Sequence, residues 1–149
     1  MRICVVGLGY VGLPTAIAFH ESGHEVSGID ISLSIIENLK QGKSHLIDDS
    51  IQLEIPISSD RWSVSNSFAN HVPESDLVII TVPTPTLEDK TPDLSFVNSA
   101  MDSVLANIDN NSGTIVILES TVYPGVTRKI AENAASGYGL EIGKDFEIA

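Results

Sequence analysis

Six short apolar runs, each rich in β-branched residues, recur along the chain, and stretches of helical period or clusters of turn residues separate them. The runs predict strands at Arg2–Val6, Glu25–Ile29, Trp62–Ser65, Leu77–Val82, Thr114–Leu118 and Asp145–Ala149. Between them the spacing predicts helices over Leu13–Ser22, Leu33–Gln41, Leu94–Ile108 and Val126–Ser136. In the fourth interval (LSFVNSAMDSVLANI) the apolar positions Leu94, Val97, Met101, Val104, Leu105 and Ile108 share one face, and Asp93 stands where a helix cap is expected. The third crossover, IDDSIQLEIPISSD, carries Pro56 and clustered serines and reads as a short helix or a loop. LVIITV and TIVIL are nearly continuous in hydrophobics, as strands buried on both faces are. Strands alternating with helices imply an α/β fold: a doubly wound parallel sheet of about six strands with helices on both faces.

Composition narrows the class. At 149 residues the chain has room for one domain with a full core. No apolar run approaches the roughly 20 residues that span a bilayer, and the N-terminal run, broken by Gly7, Gly9, Gly12 and Pro14, does not read as a signal peptide. The formal charge of −12 would repel nucleic acid and anionic membranes. A single cysteine, Cys4, excludes an internal disulfide and fits a cytoplasmic protein. Lying inside the first apolar run, it is expected to be buried as a small hydrophobe.

The chemistry begins at GLGYVGLPTA. Gly7, Gly9 and Gly12 have G-x-G-x-x-G spacing, directly after a predicted strand and at the head of a predicted helix. A second strand then ends in Asp30, 18 residues after Gly12. Each position has a physical role: Gly7 permits the tight turn, Gly9 lets a pyrophosphate approach the backbone, and Gly12 allows the helix close to the strand. The helix start offers free N–H groups and the positive end of its dipole. Asp30 can accept from both ribose hydroxyls and would repel a 2′-phosphate, which favours NAD over NADP and places the fold in the Rossmann type. A lone glycine motif can be a mere turn; strand, helix and acid in register make the binding reading the stronger.

In such sheets ligands lie beyond the carboxyl ends of the strands, which directs attention to the loops after the fourth and fifth. In VPTPTLEDKTPD, Pro83 and Pro85 hold Val82 and Thr84 extended, giving either a stiff wall for a cofactor or an ordinary proline-rich turn. In ESTVYPGVT, Glu119, Ser120 and Thr121 follow the strand directly. A hydroxyl there can orient a water or a substrate oxygen near the hydride-accepting carbon, or Thr121 can simply cap the turn.

GLGYVGLPTA, VPTPTLEDKTPDLSFV and ESTVYPGVTRKI, in this order and spacing, resemble the N-terminal domain of the UDP-glucose/GDP-mannose dehydrogenase family across essentially the whole chain. VPTP followed by PDLS, together with ESTVYPG, is most similar to the branch acting on UDP-N-acetylhexosamines. The resemblance implies an enzyme family that oxidises the C6 alcohol of a nucleotide-linked sugar to a carboxylate in two NAD-dependent steps, through a thiohemiacetal on a cysteine. By the same resemblance Gly7, Gly9, Tyr10, Val11 and Gly12 hold the pyrophosphate, and Asp30 holds the adenosine ribose. Val82, Pro83, Thr84, Pro85, Ser120 and Thr121 line the cofactor, and Thr121 sits in the active site with Glu119 nearby. The family's nucleophilic cysteine, its lysine and asparagine, and most UDP-sugar contacts belong to central helical and C-terminal domains beyond these motifs. The 149-residue chain is therefore expected to bind NAD without turning over a UDP-sugar, and to self-associate through the apolar surface those domains would cover. The alternatives are a stand-alone NAD-binding module, regulatory or completed by a partner chain, and a hydroxyacid or hydroxyacyl-CoA dehydrogenase; the two later motifs argue against the last.

Ile35 stands where relatives tend to carry a basic residue, which would weaken the grip on adenosine. Of the histidines, His20 and His24 are expected at the surface, His71 solvated in a loop, and His45 at most bordering the cofactor. None has metal-ligand spacing, so no metal site is expected.

Overall fold

The computed structural model describes residues 1–46, 53–110 and 112–149. The elements run β1 (Arg2–Val6), α1 (Gly12–Glu21), β2 (Glu25–Ile29), α2 (Leu33–Lys40), β3 (Trp62–Ser65), β4 (Leu77–Ile80), α3 (Ser95–Leu105), β5 (Thr114–Leu118), α4 (Val126–Tyr138) and β6 (Phe146–Ile148). All six strands pair in parallel in the order β3-β2-β1-β4-β5-β6. The order reverses between β1 and β4, so a crevice opens at the carboxyl ends of these two central strands.

Alternation along the strands builds a core on each face of the sheet. Cys4, Val6, Val78, Ile80, Val116 and Leu118 face α3 and α4, meeting Val97, Met101, Val104, Leu105, Ile130 and Ala131. Ile3, Val5, Val26, Val64, Leu77 and Ile79 face α1 and α2, meeting Leu13, Ala16, Ile17, Ile36 and Leu39. β4 is buried along its full length, as its sequence predicts. β5 is not: Ile115 remains 39% exposed, because no helix among the described residues covers the outer half of the sheet on the α1 side.

Other departures from the sequence reading are local. β4 stops at Ile80, two residues early; the Thr81 N–H still bonds the Val6 carbonyl at 2.8 Å, after which the chain turns into the next loop. α3 begins at Ser95 with Leu94 at the N-cap position and no side-chain cap there; Asp93, expected as the cap, stands one residue earlier, where its Oδ1 accepts the Ser95 N–H at 2.9 Å. Hydrogen bonds from Ser95 hold the Asp93 carboxyl below its ordinary range. α4 runs two residues further than predicted, to Tyr138, and closes at Gly139, whose φ of +70° suits glycine. In the third crossover, residues 47–52 lie outside the described residues, and residues 53–61 contain turns and no helix.

Two histidines expected in solvent are not there. His20 is buried, with Nε2 2.8 Å from Ser59 Oγ and its ring edge-on to Trp62, because the chain before β3 folds over the end of α1. His71 is half-buried, with Nε2 2.9 Å from Ser65 Oγ, and burial pushes its imidazole below the ordinary histidine value. Cys4 is fully buried as predicted, and burial pushes its thiol up to about 12.

The contrast between β4 and β5 is measurable. Ile80→Ala is expected to cost about 2–5 kcal/mol of unfolding free energy in urea, and Ile115→Thr no more than about 1 kcal/mol. Equal losses would show that the open side of β5 is covered in solution.

Candidate functional site

A cleft of about 610 Å³ lies over the carboxyl ends of the central strands, at the point where the strand order reverses. Its size is that of a small-molecule site, about 300–1,000 Å³. Gly7, Gly9, Tyr10 and Val11 from the turn between β1 and α1 form one wall, and Asp30, Ile31 and Ile35 beyond β2 form a second. Thr81, Val82, Pro83 and Thr84 beyond β4 supply a third, and Glu119, Ser120 and Thr121 beyond β5 a fourth. Phe96, Ser99, Ala100 and Ser103 of α3, with Phe68, close the remaining side.

Glycines make the first wall possible, each differently. Gly7 turns at φ +91° and donates its N–H to the Ile29 carbonyl at 2.8 Å. A β-carbon on Gly12 would overlap the Gly7 carbonyl oxygen and the Thr81 hydroxyl, so only glycine lets α1 start this close to the strand ends. A β-carbon on Gly9 would meet nothing within 4 Å, so that face of the turn is open for a ligand. Past this turn the first helical bond is Leu13 N–H to the Gly9 carbonyl at 3.1 Å. Among the described residues, no acceptor meets the N–H groups of Gly9, Tyr10 or Val11.

Asp30 does more than its spacing suggested. Its Oδ2 accepts the Leu8 N–H and its Oδ1 the Ser32 N–H, both at 2.9 Å, so the carboxylate ties the glycine turn to the start of α2. Each carboxylate oxygen has a second lone pair, which leaves room for ribose hydroxyls. Leu8, buried beneath the turn, fits because Gly28 on β2 has no side chain: a β-carbon there would stand 2.9 Å from the Leu8 methyl groups.

Most of the residues singled out in the sequence line this one cleft. Two do not: Gly12 is buried under the turn and acts by fit, and Pro85 lies outside the wall, its carbonyl accepting the Asp93 N–H at 2.7 Å. Residues 86–92 close a small hairpin, with a Thr86–Pro92 bridge and Lys90 at φ +67°, which turn chemistry alone did not announce. Thr121 makes no side-chain cap to α4; Gly125, at φ +86°, holds the position before that helix. His45 does not reach the cleft. Sequence reasoning missed Thr81 and the α3 face of Phe96, Ser99 and Ser103. The helical period of α3 had marked its buried side, and these residues sit one step round the helix from it.

The cleft fits a dinucleotide on observations that are independent of motif. Its N–H groups are free where phosphates would lie, its size is adequate, and among the described residues its only charged lining residues are Asp30 and Glu119. With no lysine or arginine in the wall, a diphosphate there must be met by backbone dipoles. No group of His, Cys, Asp and Glu suited to a metal ion occurs among the described residues, and no helix there is long and apolar enough to cross a membrane.

Sheet order, glycine turn and acid together define a Rossmann-type dinucleotide-binding domain. The family model described as "UDP-glucose/GDP-mannose dehydrogenase family, NAD binding domain" matches residues 1–149, and the chain belongs to that family. UDP-N-acetyl-D-mannosamine dehydrogenase of Pyrococcus horikoshii is 40% identical over 151 aligned residues, covering 100% of this chain and 35% of that protein. Among solved structures, GDP-mannose dehydrogenase from Pseudomonas aeruginosa in a ternary complex superposes with TM-score 0.91 at 30% identity, covering 99% of this chain and 35% of that one. UDP-D-ManNAc dehydrogenase from P. horikoshii gives 0.89 at 39% identity, with the same coverage. The chain thus spans about a third of the length of the relatives it matches, the portion that binds NAD.

Gly9 and Gly12 can be separated by experiment. Gly12→Ala is expected to lose about 1–3 kcal/mol or more of unfolding free energy in urea. Gly9→Ala should stay within about 0.5 kcal/mol of the parent while weakening ligand binding. Equal stability of the two variants would contradict the packing described.

Proposed function

We propose that this chain is the cofactor-holding portion of a nucleotide-sugar 6-dehydrogenase of the type that acts on UDP-N-acetylhexosamines. The cofactor part of the reading is carried by the cleft's charge pattern, open backbone N–H groups for a diphosphate, one carboxylate beside the ribose position, and no cation among the described wall residues; the substrate type rests on the 40% identity to the UDP-N-acetyl-D-mannosamine dehydrogenase. NAD, when bound, accepts hydride from the alcohol carbon of the sugar.

The chain's own residues have distinct tasks in this reading. Gly9, Tyr10 and Val11 present N–H groups to the diphosphate. Asp30 accepts from the adenosine ribose through the lone pairs its backbone bonds leave free, and a 2′-phosphate there would face a carboxylate with no lysine or arginine in the wall to offset it. Ile31 and Ile35 offer an apolar rim at that end in place of a basic residue. Val82, Pro83 and Thr84 rest against the cofactor, and Glu119 and Thr121 stand off β5 towards its reactive end.

Cys4 cannot act as the sugar-binding nucleophile. It is buried between helix and sheet, and its thiol stays protonated well above neutral pH. We place that nucleophile and most of the UDP-sugar contacts in the remaining length seen in the relatives. A cytoplasmic setting and self-association through apolar surface, the open side of β5 at Ile115 included, complete the proposal.

Calorimetric titration of the folded chain tests it. NAD is expected to bind at least about tenfold more tightly than NADP, a difference of about 1.4 kcal/mol. Equal affinity would remove Asp30 from the role given to it.

A further inference from the structure

Four loops meet at the cleft, in the order of the strands that carry them: β2, β1, β4, β5. Neighbouring loops are joined by side-chain hydrogen bonds to backbone. Asp30, beyond β2, accepts the Leu8 N–H of the glycine turn at 2.9 Å. Thr81, beyond β4, places its Oγ1 2.7 Å from the Gly7 carbonyl oxygen and 3.1 Å from that of Val6. Ser120, beyond β5, donates to the Val82 carbonyl at 2.6 Å.

We propose that Thr81 and Ser120 are positioning residues for the dinucleotide, lacing the loops beyond β1, β4 and β5 into one floor before the cofactor arrives. The inference rests on the NAD-binding reading given above. Three features argue for it. First, both hydroxyls are spent on main-chain carbonyls of a neighbouring loop, so each fixes a segment that itself lines the cleft.

Second, among the described residues no other donor meets the Gly7 or the Val82 carbonyl. A carbonyl oxygen beside a diphosphate is a like-signed dipole end, and a hydroxyl donor both pins and offsets it. Third, no cation lines the wall, so the fit of backbone N–H groups to phosphate must be set by loop geometry alone. A loop ordered in advance loses less freedom on binding, and the affinity gain is of that kind.

Thr81 also packs where Gly12 has no side chain, so its hydroxyl must be separated from its bulk. Thr81→Val keeps the shape and removes the donor; Thr81→Ser keeps the donor. Ser120→Ala probes the second link at a half-buried position. For each, NAD affinity is measured by calorimetry and unfolding by urea titration, with circular dichroism to establish that the sample is folded.

Thr81→Val and Ser120→Ala are expected to weaken NAD binding about three- to tenfold, the size of one hydrogen bond, and Thr81→Ser to stay within about twofold of the unmodified chain. A folded Thr81→Val or Ser120→Ala chain that is less stable yet binds NAD within about twofold of the parent would overturn the proposal, since a purely structural bond behaves that way. Should Thr81→Val not fold, Ser120→Ala decides by the same criterion. If the unmodified chain binds no NAD, the cofactor reading itself fails and takes this inference with it; if only the variants match the parent, the cofactor reading stands and the lacing falls.

Discussion

The backbone of Gly12 lies so close to the Gly7 carbonyl and the Thr81 hydroxyl that a β-carbon there would overlap both, and this contact brings the first turn of α1 directly against the ends of β1 and β4. The rest of the site follows from that proximity. With α1 seated there, its leading N–H groups open on the point where strand order reverses, and Gly9 leaves the approach to them clear. Asp30 reaches across from β2 to hold the turn by its Leu8 N–H, and Gly28 makes room for the Leu8 side chain below. A close approach of two backbone segments thus becomes a site that handles negative charge without a basic side chain.

The electrostatic consequence is unusual for an acidic chain. A net charge of −12 works against an anionic ligand at long range, yet a diphosphate at the glycine turn would meet open N–H groups at contact distance. Selectivity then falls to geometry and to one acid. Asp30 lines the cleft with Ile31 and Ile35 beside it, so a phosphate placed there would meet a carboxylate and an apolar rim. At the other end Glu119 and Thr121 leave β5 for the same cleft.

Much of this was legible in the sequence because local rules and global fold agree. Strand runs, the glycine spacing and the acid at the end of β2 each follow from short-range patterns, and all six predicted strands pair in parallel. What escaped depended on long-range contact. His20 sits at a helix end, where a solvent-facing histidine is the ordinary outcome, and only the chain before β3 folding over it makes it buried. TIVIL gives no sign that one side of β5 lacks a covering helix. Thr81 looked like the interior of a strand; its hydroxyl matters because β1 and the glycine turn, more than 70 residues earlier, end beside it. The α3 side chains in the cleft were missed for a similar reason, since helical period marks a core face but not a ligand face.

Amide chemical shifts report most directly on whether backbone N–H groups at the head of α1 hold the diphosphate. In a nitrogen–proton correlation spectrum of the folded chain, adding NAD is expected to move the Gly9, Tyr10 and Val11 amide resonances, and ADP-ribose, which carries the same diphosphate, to move them alike. Saturating NAD that shifts other residues and leaves these three in place would contradict the account.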